Sequence, residues 1–317
     1  MKGFYYILGV LLIGGIVQPV KAQSSTREGF AFLRLETSAR MSALGGLFPD
    51  WMPEDVSAVF FNPAMLNPSM HRQLSLSYMN HLAGIHAGTA IIGWEVPRVG
   101  MMAFSLRYVS YGTMTEADEQ GNRLGQFSAS DGGFFIAMAR EVWGRLRAGV
   151  QVGSVFSHIA SYQAVALTLE GGVSYLWPDQ SAAFSASVHH VGVVLRSLGS
   201  LQDRLPTDVR IGVSKRLAHL PLVLGLSLYD LGNLRGPDAS LWRHTIMSGE
   251  FRFSPSFQLR FGYNPRRHED LKIKNRLDMA GVSMGFGLRI RQFTFDYAYV
   301  SWSSLGTIHH LTVRSRL

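Results

Sequence analysis

SFQLRFGY (256–263) and QFTFDYAY (292–299) are the two stretches whose reading decides the fold. In the first, Phe257, Leu259, Phe261 and Tyr263 alternate with Ser256, Gln258, Arg260 and Gly262. In the second, Phe293, Phe295, Tyr297 and Tyr299 alternate with Gln292, Thr294, Asp296 and Ala298. A period of two is that of a β-strand, whose neighbouring side chains point to opposite faces. One face of each segment is wholly apolar and the other carries a charge. Phe104, Leu106 and Tyr108 repeat the pattern around Ser105 and Arg107. Apolar out and polar in is the signature of a strand that crosses a membrane as part of a closed barrel. Arg107, Arg260 and Asp296 would be costly against lipid, so they are expected to face a polar lumen.

Working outward, the same alternation predicts fourteen strands. Their approximate spans are 73–79, 86–96, 100–109, 133–142, 145–157, 164–176, 182–190 and 208–217, then 222–230, 244–253, 257–263, 278–289, 291–301 and 306–315. An even number is usual for bacterial single-chain barrels. The connections support the reading. With the N-terminus in the periplasm, the turns at 97–99, 143–144, 177–181, 218–221, 254–256 and 290 are all short. The opposite rim carries 80–85, 110–132, 158–163, 191–207, 231–243, 264–277 and 302–305. Long outer loops and short periplasmic turns are what such barrels show. The expected fold is therefore an all-β, fourteen-stranded antiparallel outer-membrane barrel over 73–317.

Composition narrows the alternatives. Beyond residue 22 no apolar run is long enough for a membrane helix; His86 to Tyr108 contains Glu95, Pro97, Arg98 and Arg107. Only helices and closed barrels satisfy their backbone in lipid. The chain has no cysteine, which removes disulfides and thiolate metal sites. Charged residues make up 16 %, below the roughly 25 % of an ordinary soluble domain. The net charge of +8 is scattered, with one basic run at Arg266, Arg267, Lys272, Lys274 and Arg276, and reads as a solvated loop rather than a nucleic-acid site. Lys2, the apolar run Phe4–Val17 and the small Ala22 read as a secretory signal, residues 1–22, cut before Gln23.

Residues 23–72 do not alternate and are expected to sit inside the barrel as a plug. Asp55 is placed to cap a short helix that Pro63 ends or kinks. Asn62-Pro63-Ala64 is the segment's most specific element. Asparagine can bond the backbone that it turns, proline sets the next φ, and alanine allows close approach to the wall. No catalytic constellation stands out, and no cofactor or metal is implied. His189-His190 and His309-His310 are neighbours on strands, so each pair should point to opposite faces and hold no ion. Asp118, Glu119 and Asp131 could meet around a cation, but a solvated loop is the simpler reading.

FLRLETSARMSALGG (32–46) and EDVSAVFFNPAMLNPSMH (54–71) resemble the start of the PorV/PorQ branch of the FadL-like outer-membrane barrels. YGTMTEADEQGNRLGQFSASD (111–131), LPTDVRIGVSKRLAHLPLVLGLSLYDL (205–231) and FDYAYVSWSSLGTIHHLTV (295–313) are similar to the PorQ type within it. The resemblance covers nearly the whole chain after the leader. It implies a fourteen-stranded barrel with an N-terminal hatch, working in the attachment complex of the type IX secretion system. There it would anchor PorZ beside PorU and PorV, where lipopolysaccharide is attached to cargo. The chemistry of that complex belongs to PorU, so the resemblance implies no enzyme. One departure is the ending Arg316-Leu317, where many barrels end in an aromatic residue. A transporter of hydrophobic molecules is the second expectation, and a barrel enzyme the third. Transport would require an apolar path to a lateral opening; catalysis would require a nucleophile and base converging at the rim.

Overall fold

The computed structural model describes residues 27–47, 54–199, 201–234, 240–273 and 278–317. The expected leader, residues 1–22, lies outside the described residues, as do Lys274 and Arg276 of the basic run.

In chain order the strands are β1 Arg27–Glu28, β2 Gln73–Asn80, β3 His86–Val96, β4 Gly100–Ala117, β5 Arg123–Trp143, β6 Leu146–Ile159, β7 Tyr162–Trp177, β8 Ala182–Arg196, β9 Asp203–Arg204, β10 Asp208–Arg216, β11 Leu222–Leu228, β12 Thr245–Ser254, β13 Phe257–Tyr263, β14 Val282–Ile290, β15 Phe293–Ser301 and β16 Thr307–Arg316. The short strands β1 and β9 form a parallel pair of their own. The other fourteen follow one another around a closed antiparallel barrel. The last strand returns to the first, with Arg316 opposite Gln73 and His309 opposite Asn80. Closure leaves no unpaired strand edge, which is the condition for a sheet to stand in hydrocarbon.

The alternation of the sequence becomes two surfaces. Leu76, Phe104, Leu106, Phe134, Ile136, Val152, Leu167, Leu169, Leu259, Phe286 and Leu311 are among the large apolar side chains exposed on the outside. A continuous apolar girdle of this kind has a natural solvent only in lipid. The fold is that of an outer-membrane barrel.

Because consecutive strands run antiparallel, the connections fall alternately at two ends. One end holds the short turns, such as 97–99, 144–145 and 291–292. The other holds 197–207, 229–244 and 264–281. The expected loop at 110–132 differs. β4 and β5 continue to Ala117 and from Arg123, leaving a tip at 118–122. Asp118 closes that tip by accepting from Asn122 N at 2.7 Å and Gln120 N at 3.0 Å. A hairpin beyond the membrane has no lipid face, so it need not alternate, and alternation missed it. The connection at 264–281 contains the helix α2, Pro265–Leu271, with proline in its first turn. Asn264 caps it by accepting from Arg267 N at 3.1 Å.

Leu259→Arg is expected to cost about 2–4 kcal/mol if the residue lies near the bilayer midplane. Urea unfolding in lipid vesicles measures it, and an unchanged midpoint would place Leu259 off the lipid face.

Candidate functional site in the barrel lumen

The described part of the N-terminal segment runs the length of the barrel interior. It starts at the long-connection end, where Arg27 and Glu28 pair with Asp203 and Arg204. The described chain thus begins at the rim opposite to the one the sequence reading chose for its start. Arg267 of α2 bonds Glu36 there at 3.0 Å. The short helix α1, Ala39–Ala43, then lies against the wall. Ala39 N donates to Thr312 Oγ1 at 2.8 Å, Ser42 Oγ meets His310 Nδ1 at 2.8 Å, and Ser283 Oγ donates to the Ala43 carbonyl at 3.2 Å. Three 3-10 turns follow at Val56–Phe60, Pro63–Met65 and Pro68–Met70. Side chains of Asp55, Asn62 and Asn67 start them in turn. The short helix expected after Asp55 is there as a 3-10 turn that ends before Pro63, and each proline then restarts the chain. At the short-turn end Arg316 holds the Ser69 carbonyl at 2.8 Å and Arg289 meets Glu54 at 3.1 Å.

Asn62, Pro63 and Ala64 lie against β6, β7 and β8. The Asn62 amide donates to the carbonyls of Val173 at 3.0 Å and Ala186 at 3.2 Å. Its oxygen accepts from Ala64 N at 2.9 Å. Ser174 Oγ donates to the Ala64 carbonyl at 3.2 Å. Two glycines make the fit possible. A Cβ at Gly172 would collide with the Asn62 side chain, and one at Gly149 with the Pro63–Ala64 backbone.

Arg260 and Asp296 are partners on the inner wall, and both are buried. They belong to a larger ionic group. Glu250 accepts from Arg40 at 2.9 Å, Arg260 at 2.8 Å and Arg252 at 2.6 Å. Asp296 also accepts from Arg314 at 2.8 Å. Arg107 stands apart. Its guanidinium donates to the carbonyls of Phe32 at 3.0 Å and Leu35 at 2.8 Å, and lies over the Phe60 ring at 5.1 Å. Sequence reasoning missed Arg40, Glu250 and Arg314. The last two sit in expected strands with inward parity and could have been found; Arg40 lies where no period exists.

Above α1, toward the long connections, a cavity of about 790 Å³ opens. Arg34, Glu36, Arg210, Asp230 and His190 are among the residues that line it. Burial works to raise the Glu36 carboxyl, but Arg267 beside it overcomes this and holds it below the usual glutamate value.

One inner-wall group contradicts strict alternation. His189 and His190 are both buried, and both face Glu170. The register passes from Gly171↔Val188 to Leu169↔Val191, so two histidines stand opposite one glutamate. His190 has φ 55, which turns it inward. This β-bulge corrects the expectation that the pair splits between faces. His189 Nδ1 lies 2.8 Å and His190 Nε2 3.5 Å from the Glu170 carboxylate. His309 and His310 do alternate, with His309 on Tyr297 and His310 on Ser42. Asp118 and Asp131 do not meet: Asp131 is buried and takes the Tyr111 hydroxyl at 2.6 Å.

Asp296→Ala would leave buried Arg260 with Glu250 alone and buried Arg314 with only Asp55 at 3.8 Å, and is expected to cost about 3 kcal/mol, read from denaturant unfolding of the folded barrel. An effect below 1 kcal/mol would mean that water reaches the cluster. Since the Glu36 value is lowered on folding, its contribution is present above the ordinary glutamate value and fades as pH falls through the lowered one. The stability gap between the parent and Glu36→Gln should therefore close under acid; a gap independent of pH would remove Glu36 from this role.

No family model matches the chain, and no curated protein does. Solved structures do. The toluene transporter TodX of Pseudomonas putida is 11% identical, with 89% of this chain and 97% of that chain covered and a TM-score of 0.57. The CymD monoaromatic hydrocarbon channel is 9% identical over 90% of this chain and 98% of its own, at 0.58. A FadL homologue of Pseudomonas aeruginosa is 12% identical over 89% and 98%, at 0.50. These neighbours are transporter and channel barrels, and at such identities the likeness establishes the fold alone: this chain has a FadL-like fourteen-stranded barrel.

Proposed function

We propose that this chain is a membrane anchor: an outer-membrane component of the type IX secretion attachment complex that holds PorZ at the membrane beside PorU and PorV. In this reading residues 1–22 direct export, residues 23–72 plug the lumen, and no chemical step is carried by the barrel. The observation that carries it is the pinned interior. Arg40, from the inner segment, shares Glu250 with Arg260 and Arg252 of the wall. Buried ion pairs of this kind resist separation. What is left for function is the exposed rim with its three long connections. The choice of complex and partner rests on the sequence resemblance at 111–131, 205–231 and 295–313.

Transport of hydrophobic molecules is the second reading, favoured by the likeness to the TodX and CymD barrels. It requires the inner segment to yield an apolar path. Deleting the gene and fractionating the cells separates the two. Release of PorZ from the outer membrane, with uptake of labelled toluene or fatty acid unchanged, is the expected result. If PorZ stays membrane-bound at its normal level while uptake falls, the transporter reading replaces anchoring.

A further inference from the structure

The bulge in β8 aims two imidazoles at one carboxylate, and the hydrogen bonds around them restrict where the protons can be. His190 Nδ1 lies 3.1 Å from the Pro206 carbonyl. A carbonyl only accepts, so Nδ1 carries the proton and Nε2 presents a lone pair to Glu170. His189 Nε2 lies 2.9 Å from Ser187 Oγ, whose one proton goes to the Phe61 carbonyl at 3.3 Å. With Nε2 as the donor to Ser187, His189 Nδ1 is free to turn a lone pair toward Glu170; a proton on Nδ1 instead bridges the two at 2.8 Å. An ionised carboxylate is itself only an acceptor. Three side chains able to ligate a metal thus converge, with one ligand atom from each residue all within 4.8 Å of one another. Such a convergence can exchange the shared proton for a metal ion. Directly across the ladder from Glu170 is Gln151, buried, whose side-chain amide has no hydrogen-bond partner among the described residues.

We propose that Glu170, His189 and His190 bind one divalent transition-metal ion of the zinc, cobalt or nickel class. Two imidazoles and a carboxylate are donors for such ions rather than for calcium or magnesium, which prefer all-oxygen sites. The outer partners are of the kind metal sites use. With the ion bound, each histidine would donate its far N–H to an oxygen, Ser187 Oγ for His189 and the Pro206 carbonyl for His190, fixing tautomer and ring orientation. The neighbouring Arg210 is neutralised by Asp208 at 2.6 Å, so that pair adds no net charge to the site. His190 also lines the cavity, so the ion's remaining position is open to water or a small anion from that side. The ion joins β7 to β8 and, through Pro206, to the connection at 197–207. It is distinct from the anchoring role and does not depend on it.

The test uses the full-length barrel, purified in detergent after chelator treatment, with cobalt(II) alone as the probe. One ion per chain is expected, with a visible ligand-field band that zinc displaces. Glu170→Gln and His190→Gln should each weaken binding by more than about 100-fold, the upper figure for loss of a mere supporting contact. His309→Gln, on the other face of its strand, should bind as the parent does. Heat-modified gel migration checks that each variant folds. If the variants fail to fold, the parent alone decides: X-ray absorption of its bound ion should show two imidazole nitrogens. Absence of stoichiometric binding, binding retained in both variants, or a spectrum without imidazole would each overturn the proposal. So would nitrogen NMR showing both rings doubly protonated in the presence of metal, since protons would then be the cation.

Discussion

A guanidinium or carboxylate in the membrane-spanning wall can point only inward, because lipid cannot solvate it, and once inside it needs a partner. That constraint organises the interior. Glu250 and Asp296 are shared among Arg40, Arg252, Arg260 and Arg314. Five of these six charges lie on strands set around one side of the barrel, and each would be uncompensated without its neighbours. Arg40 comes from the inner segment, so wall and segment are specified together. The same side supplies Ser283, His310 and Thr312, whose polar atoms are met by α1.

The opposite side of the lumen is solved differently. Ile91, Phe135, Val155, Ala164 and Ala166 of the wall belong to one apolar cluster with Val56, Phe60, Phe61 and Leu66 of the segment. Phe60 meets Phe135 edge to face at 5.4 Å. Each large side chain buried here contributes about 1.5–3 kcal/mol. Ion pairs on one side give geometry, and apolar burial on the other gives most of the attraction. Wall glycines let the segment come close at several places. Gly93 lies under Met70, Gly262 under Leu44–Gly45 and Gly285 under Ala43, and a Cβ at any of them would collide. The wall is thus shaped for this segment, and a passage through the lumen would require both kinds of contact to be given up.

The period of two made the barrel legible because lipid imposes it from outside. Where lipid is absent the signal goes. The β4–β5 hairpin continues past the girdle without alternation, and its strands over 110–117 and 123–132 read as loop. Inside the barrel no period exists at all, so Asn62-Pro63-Ala64 could be singled out by turn chemistry while Arg40 could not. Arg260 and Asp296 were legible as inward charges, but not as partners, since pairing depends on the register of β13, β14 and β15. Asp296 pairs with Gly287 and Arg260 with Gly285, so β14 carries glycines between them, and Arg260 reaches across that bare strand. The histidine pair was misread for the opposite reason. A single residue at φ 55 breaks the alternation, and nothing in the local composition announces it.

That break sits where three parts of the molecule meet. Ser187, two residues before the bulge, holds the Phe61 carbonyl of the inner segment. Arg210, on the neighbouring strand, holds the Phe60 carbonyl at 2.9 Å and Asp208 at 2.6 Å. Asp208 in turn accepts from the Asp230 backbone at 2.5 Å, and His190 reaches Pro206. Residues 206 and 230 belong to two of the long outer connections. A continuous set of hydrogen bonds therefore leads from the buried segment, through the wall, to the loops of one rim. Loops on a barrel rim are free to move unless something beneath them is fixed. Here what lies beneath, around the cavity, is the inner segment bonded to the wall, so those bonds also set the shape of the surface that the rim presents. If recognition takes place at the rim, as proposed, the buried segment is then as much a determinant of it as the loops are.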